Sequence, residues 1–552
     1  MSRSPLFEKL ARSIRIAHFC DVKKISTSEG IERISELEVK ASKLRSTRRE
    51  FLASMGRLAL VGAVGSVAQP MRVHAARPSR PDVSVGIVGA GLAGLGCGYE
   101  LKQNGIIATI YDANTRVGGR CFSLGGSFPG PVEFSGQVAE RGGEFIDNLH
   151  KTMLGYAQEF NLELEDVEKN PPGEVFYFFN GEHFPESVVV EEYRDLVASM
   201  HVDLRTLTPP TAEKFTQADK DLDLTNLREY LETRGAGEII SKAADAAYVA
   251  EYGLEIEEQS CLNFLLFVHA DRRSKFRPFG VFSDERYHII GGNEQIARGL
   301  SNKLVGQFEL GLNLVKVRKN HMGKIELTFK DGPRTFVATH DTVVLAIPFS
   351  TLRDVELDKS LGITDEKLFA IKNLQYGTNA KMMIGFNSRP WIGQGSKGTS
   401  YSDLPNHQNT WETNPTRATQ THAVLTDYSG GHRGANLNPN KVQTEAKLFL
   451  QDLDTVYPRA LDAATRDSKG KFLVHLEHWP SNPFTKGSYT CNHPGYFTSI
   501  ADNEAKPEGN LHFAGEHTSS FYESQGFMEG AALSGIRAAQ EILQDIKVGM
   551  FG

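Results

Sequence analysis

The chain of 552 residues has no long uninterrupted apolar run, and this excludes a stable membrane span. The apolar stretch Leu58 to Ala68 is too short and too rich in glycine to cross a bilayer. Cysteine is scarce. The five residues Cys20, Cys97, Cys121, Cys261 and Cys491 include no CxxC and no metal-ligand spacing, so they indicate neither a zinc site nor a disulfide framework and read as buried thiols. Positive charge is also in deficit, with 61 Lys+Arg against 68 Asp+Glu and a formal charge of −7. An acidic body repels nucleic acid and anionic membrane surfaces and mildly favours a cationic substrate. With 40% hydrophobic and 23% charged residues, the chain is long enough to bury two or three cores.

What is present begins with a dinucleotide cradle. The apolar run from Val83 leads through Gly89, Gly91 and Gly94 into a helix expected over Leu92 to Leu101. Gly89 permits the tight turn, Gly91 lets the backbone approach a pyrophosphate, and Gly94 lets helix pack on strand. The helix N-terminus at Leu92 and Ala93 then faces the anion. Asp112 closes a second strand-like run 23 residues after Gly89, where a carboxylate reaches ribose hydroxyls, with Ala113 beside it.

The first 75 residues are expected to stand outside these cores as a leader. Ser46 to Leu52, with Arg48 and Arg49 at its centre, resembles a twin-arginine export motif; the Leu58 to Ala68 stretch and a small-residue cleavage pattern ending at Ala75 follow it. Cutting there removes 14 basic and 7 acidic side chains and leaves 47 against 61, a formal charge of −14. The twin-arginine route carries folded proteins, which suits one that takes up its cofactor before leaving, and the expected location is periplasmic or secreted. The 45 polar residues ahead of the motif are long for such a signal.

The run from Asp112 through Arg116, Gly118 and Gly119 to Arg120 resembles the second half of the flavin fingerprint of the flavin-containing amine oxidase family, of the flavin monoamine oxidase and L-amino acid oxidase type. Two guanidiniums spaced around glycines can bond phosphate while the backbone stays close to it. A second block, Leu511 to Gly535, looks like that family's closing motif. It implies flavin contacts from Gly515, Glu516, Gly526, Phe527 and Met528, the last at a helix N-terminus that favours negative charge on reduced flavin. Gly143, Glu144 and Phe145 resemble the turn passing beside the flavin ring, Val315 the residue offering its backbone to adenine, and Trp479 a residue packed on the flavin.

The resemblance covers residues 82 to 545 and implies an α/β fold: a Rossmann-like FAD-binding domain interleaved with a mixed α+β substrate-binding domain and a helical cap. Residues 76–150, 285–350 and 501–545 would form the discontinuous FAD-binding domain, 151–284 the cap and part of the substrate domain, and 351–500 the rest of the substrate domain. Within the cap, Phe176 to Phe179 and Leu227 to Leu231 read as helical patterning.

Three residues carry the implied chemistry. Lys381, heading an apolar strand, resembles the lysine the family holds near flavin N5 through a water, where a cation would meet charge developing on dioxygen. Tyr489 and Phe527 resemble the two rings that sandwich the amine. No dedicated protein base is evident. Two departures matter. Ser488 stands where monoamine oxidases have the cysteine that attaches flavin, so FAD is expected to be noncovalent. Phe145 stands where venom-type L-amino acid oxidases have an arginine for the substrate carboxylate, although Arg141 is close by.

The implied function is oxidation of a primary amine or polyamine to an imine, then aldehyde and ammonia, with dioxygen giving hydrogen peroxide. An L-amino acid oxidase producing a 2-oxo acid is the alternative. A desaturase or protoporphyrinogen-type oxidase would need an amphipathic anchor that the sequence does not display, and a flavin-binding protein without turnover is the remaining class. The sequence leaves a homodimer open.

Overall fold

Val85–Val88 (β1), four buried residues in a row, form the central strand of a parallel sheet. The chain leaves it sharply because Gly89 adopts φ +109°, a conformation side chains rarely take, with a Cβ there only 2.5 Å from the Ala346 carbonyl oxygen. Helix Leu92–Gln103 (α1) follows, and Gly94 lets it lie close: a Cβ on Gly94 would stand 1.8 Å from the Gly89 carbonyl oxygen. Strand Ala108–Asp112 (β2) then pairs parallel beside β1. The computed structural model describes residues 83–167, 173–268, 285–414, 421–519 and 524–550, with positions 13, 16, 17, 19–21 and 23–35.

The other strands of this sheet arrive from distant parts of the chain. Phe308–Leu310 (β3), Thr342–Leu345 (β4) and Leu511–Phe513 (β5) complete the order β5-β4-β1-β2-β3, with every pairing parallel. Such a sheet must be covered on both faces. The last helix, Met528–Lys547 (α2), packs directly on α1, and a Cβ on Gly535 would meet the Ala93 carbonyl oxygen at 2.0 Å. A separate four-stranded sheet carries Asn313–Lys319, Ile325–Asp331 and Arg334–His340.

A second large sheet has seven strands. Across it, Val474–His478, Ala380–Phe386, Ala423–Ser429, His407–Glu412, Ser396–Leu404, Glu174–Phe179 and Glu182–Phe184 lie in that order. Residues of the Ala380–Phe386 strand alternate in destination. Ala380, Met382, Ile384 and Phe386 join the apolar cluster that includes Phe449, Leu450 and Leu453 of the helix Val442–Val456, which leaves Lys381 for the opposite face. On that side the helix Glu238–Tyr252 contacts the central strands. Leu227–Thr233 is helical, but Phe176–Phe179 is a strand and not the helix its patterning suggested. An aromatic run suits a pleated, half-buried surface, and it pairs parallel with Ser400 to Ser402.

The first 75 residues do not all stand outside the cores. Ser13, Ile16, Ala17 and Cys20 are buried at the spacing of one helix face, and Ile16, Ala17, Cys20 and Ile34 fall in the same apolar cluster as Val189, Tyr193 and Met200 of the helix Glu186–Thr206. Arg194 on that helix donates to Asp21 (2.9 Å) and Thr27 (3.0 Å). The segment's own amphipathic spacing carries these side chains into the core. The twin-arginine run, the Leu58 to Ala68 stretch and the Ala75 cleavage pattern lie outside the described residues. Among the described residues no helix is long and apolar enough to cross a membrane, and the five cysteines are buried free thiols.

Candidate active site

The strand-end turn of β1, the start of α1 and the end of β2 open onto one cavity. Gly89, Gly91, Leu92, Ala93, Asp112, Ala113, Arg116, Gly119 and Arg120 line it, joined by Trp479, Gly515, Glu516, Phe527 and Met528 from the far end of the sequence. The cradle is empty where backbone must approach a ligand. A Cβ on Gly91 would find nothing nearer than the Gly119 Cα at 3.9 Å, whereas one on Gly94 would collide with the turn. Helix α2 begins at Met528 with Phe527 as its N-cap, directing backbone N–H groups at the cavity wall.

Asp112 accepts from the Ala90 amide (2.6 Å) through one oxygen and from the Asn114 amide (2.7 Å) through the other. A carboxylate has about four acceptor sites, so capacity remains for ribose hydroxyls. Burial pushes its carboxyl above the usual range, against the pull of those amides and of Arg116. Arg116 lies 3.5 Å over the Phe122 ring and donates to the Val117 and Gly119 carbonyls, which braces the loop around the cavity. Glu516 ties two motifs together: it accepts from Arg120 (2.9 Å) and from the Gly526 amide (3.0 Å). Arg120 also donates to the Ser488 carbonyl (2.6 Å).

The strand Ala139–Glu140 and the turn after it connect this cavity to the second sheet. A Cβ on Gly143 would stand 2.7 Å from the Met528 side chain, and one on Gly142 would stand 1.8 Å from the Arg120 carbonyl oxygen and 3.2 Å from Trp479. Close packing there demands glycine. Trp479 donates its indole N–H to the Arg141 carbonyl (3.0 Å). On the other side, the same backbone wraps Lys381. Its ammonium donates to Glu144 (2.5 Å), the Gly142 carbonyl (3.0 Å) and the Glu140 carbonyl (3.3 Å). A lysine has three protons, and each has an oxygen. Lys381 is 2% exposed and Glu144 0%. Lys381 is therefore one member of a buried ion pair with Glu144.

Glu144, expected among the flavin contacts, turns its carboxylate to Lys381 and to the Trp411 indole N–H (2.9 Å). Trp411 and Tyr428 are functional candidates that the sequence did not single out. Trp411 stands 5.4 Å from the Tyr428 ring and 5.8 Å from that of Phe145, and these three share an apolar cluster with Val167 and Ala250. Tyr428 is the cross-strand partner of Lys381, and its hydroxyl lies 3.0 Å from that of Tyr489. Tyr489 donates to the Glu251 carbonyl, clusters with Trp479 and abuts Gly526. Phe527 packs edge-on against His150 at 4.9 Å. Only strand register brings Trp411 and Tyr428 together with Lys381, and neither carries a local motif.

Val315 sits at a bulge between Leu314 and Lys316, where its pairing with the next strand is interrupted. The cavity reaches Leu312, Asn313 and Leu314 at this place. Arg141, the spare arginine near Phe145, is spent: it donates to Glu477 (2.5 Å) and stacks 3.8 Å over the Phe122 ring. Lys381, Phe145 and Tyr489 lie beyond the residues lining the main cavity, behind Trp479, Met528 and the Gly142–Gly143 turn.

A family model described as flavin containing amine oxidoreductase matches residues 92–543. An L-amino-acid oxidase of Naja atra is 23% identical over 479 residues, covering 83% of this chain and 87% of that one. Among solved structures, cyclohexylamine oxidase from Brevibacterium oxydans IH-35A superposes with a TM-score of 0.70 at 21% identity, covering 85% of this chain and 100% of that one. Wild-type putrescine oxidase bound to putrescine gives a TM-score of 0.68 at 18% identity, over 84% and 99%. The two structural likenesses show a shared fold.

Proposed function

Because the chain belongs to the family of flavin-containing amine oxidoreductases and is an oxidoreductase acting on CH–NH2 groups, we propose that it oxidises primary amines or polyamines lacking an α-carboxylate, with dioxygen as acceptor. The observation that carries this reading is the aromatic cluster joined to Trp479 through Tyr428 and Tyr489. Phe145, Trp411 and Tyr428 make it largely apolar, and Arg141, the arginine nearest Phe145 in the sequence, is bonded to Glu477. A substrate carboxylate brought there would be an unpaired buried charge, which costs several kcal/mol. The structures of cyclohexylamine oxidase and putrescine oxidase, whose names state amine substrates, support the same side.

Bound FAD would supply the acceptor for a hydride equivalent and pass its electrons to dioxygen, releasing hydrogen peroxide. The chain's own residues bind and orient. Gly91, Asp112, Arg120 and the start of α2 would hold the dinucleotide, while Tyr489, Phe527 and the Trp411–Tyr428 wall would exclude water and align the amine. Ser488 donates to Asn379 (2.6 Å) and offers no thiol, so the flavin would be noncovalent and should be released by acid precipitation. Export by the twin-arginine route would deliver the protein folded to the periplasm or beyond.

The second reading, an L-amino acid oxidase, is favoured by the likeness to the Naja atra protein. An anaerobic titration separates the two. Flavin absorbance is followed as primary amines, polyamines and L-amino acids are added. Bleaching by amines alone is the expected result; bleaching by L-amino acids would reverse the preference, and no bleaching with flavin bound would remove the oxidase reading.

A further inference from the structure

We propose that Glu144 is a positioning residue of the amine site: one carboxylate oxygen holds Lys381 in an ion pair, and the other fixes the Trp411 indole in the aromatic cluster with Phe145 and Tyr428. The assignment rests on the amine-oxidising reading above only for its KM arm. Residues 140–142 offer Lys381 two carbonyls, and the adjoining glycines press against Met528 and Trp479, both of which line the cavity. The pair is thus separated from the cavity by the 140–143 backbone and the Met528 and Trp479 side chains. A charge so placed in a dry interior acts on a redox centre with little screening. A neutral pair contributes far less than a bare ammonium, so the glutamate determines how much of the lysine's charge is felt.

The bonds of Glu144 to Lys381 and Trp411 also separate its two duties. Lys381 requires the negative charge, whereas the Trp411 N–H requires only an acceptor. Glu144→Gln removes the first and can keep the second. Trp411→Phe does the reverse, since it leaves the pair intact and removes the N–H that orients the ring.

The test uses the purified holoenzyme and measures the flavin midpoint potential across a double-mutant cycle. Glu144→Gln should raise the potential, because an unneutralised ammonium favours reduced, more negative flavin. Lys381→Met should lower it by exposing the flavin to an unpaired carboxylate. The double variant should return to the wild-type value. If Glu144→Gln does not fold, the comparison of Lys381→Met with the double variant still decides, because replacing both members of a buried pair is often neutral for stability. Equal potentials in every folded variant, or a double variant as low as Lys381→Met, would overturn the assignment. In the KM arm, Trp411→Phe should raise KM for the amine about tenfold, the effect of one lost orienting hydrogen bond, with the potential unchanged. An unchanged KM would overturn the indole duty. The potentials need no substrate, so failure of amine oxidation and failure of this assignment are separate results.

Discussion

Gly94 is one hydrogen atom away from losing the cofactor cradle. An added methyl would sit 1.8 Å from the Gly89 carbonyl oxygen, and the atom in its way is backbone, which cannot swing aside. Gly94→Ala should weaken flavin binding by about tenfold or more, consistent with the usual 1–3 kcal/mol cost of overpacking; fluorescence titration of the apoprotein checks this. Glu140 makes a different prediction. Its carboxyl is buried, and desolvation pushes its pKa from 4.5 up to about 7 despite bonds from the Asn293 amide (2.7 Å) and Ser123 hydroxyl (2.8 Å). The folded chain thus holds a proton that the unfolded chain has released between about pH 4.5 and 7. This group's contribution to stability is most favourable below that window and declines as pH rises through it. Glu140→Gln should therefore gain on the wild type between pH 5 and pH 8, by on the order of 3 kcal/mol, read as a widening difference in thermal midpoint. A constant difference would show that Glu140 does not titrate in this way.

Elements differ in how far the sequence reveals them. The turn and helix around Gly89, Gly91 and Gly94 were legible because their requirements are local: a positive φ, an open approach and a close contact all fall within six residues. The wall of the amine site was not. Glu144 and Lys381 are 237 residues apart, and Glu144 and Trp411 267, and no spacing rule links them until strand register does. The aromatic strand Glu174–Phe179 carries helix-like patterning for a related reason, since only its neighbour in the sheet decides the state of a short apolar run. The N-terminal segment supplies the prediction at this scale. Val189, Tyr193 and Met200 share a core cluster with Ile16, Ala17, Cys20 and Ile34. A chain beginning at Ala76 should unfold several degrees below the full chain and associate more readily through the uncovered helix face. Equal thermal midpoints would mean that the segment adds nothing to stability.

At the scale of the whole molecule, the acidic balance acts as a field and not as a set of contacts. With a formal charge of −7, or −14 without the first 75 residues, the body should draw cationic amines toward it. Raising ionic strength from low to about 0.5 M should reduce kcat/KM for a cationic diamine by about threefold while leaving kcat unchanged, because screening acts on encounter. A salt-independent kcat/KM would confine recognition to the pocket. The parallel sheet has a consequence of its own for the order of assembly. Its central strand β1 leaves the ribosome early, yet β5 and α2, which close the sheet and pack on α1, are made last. A nascent chain stopped before Leu511 has the glycine turn but lacks Gly515, Glu516, Phe527 and Met528. Cofactor capture should thereby wait on completed synthesis, and a chain stopped before Leu511 should fail to retain flavin.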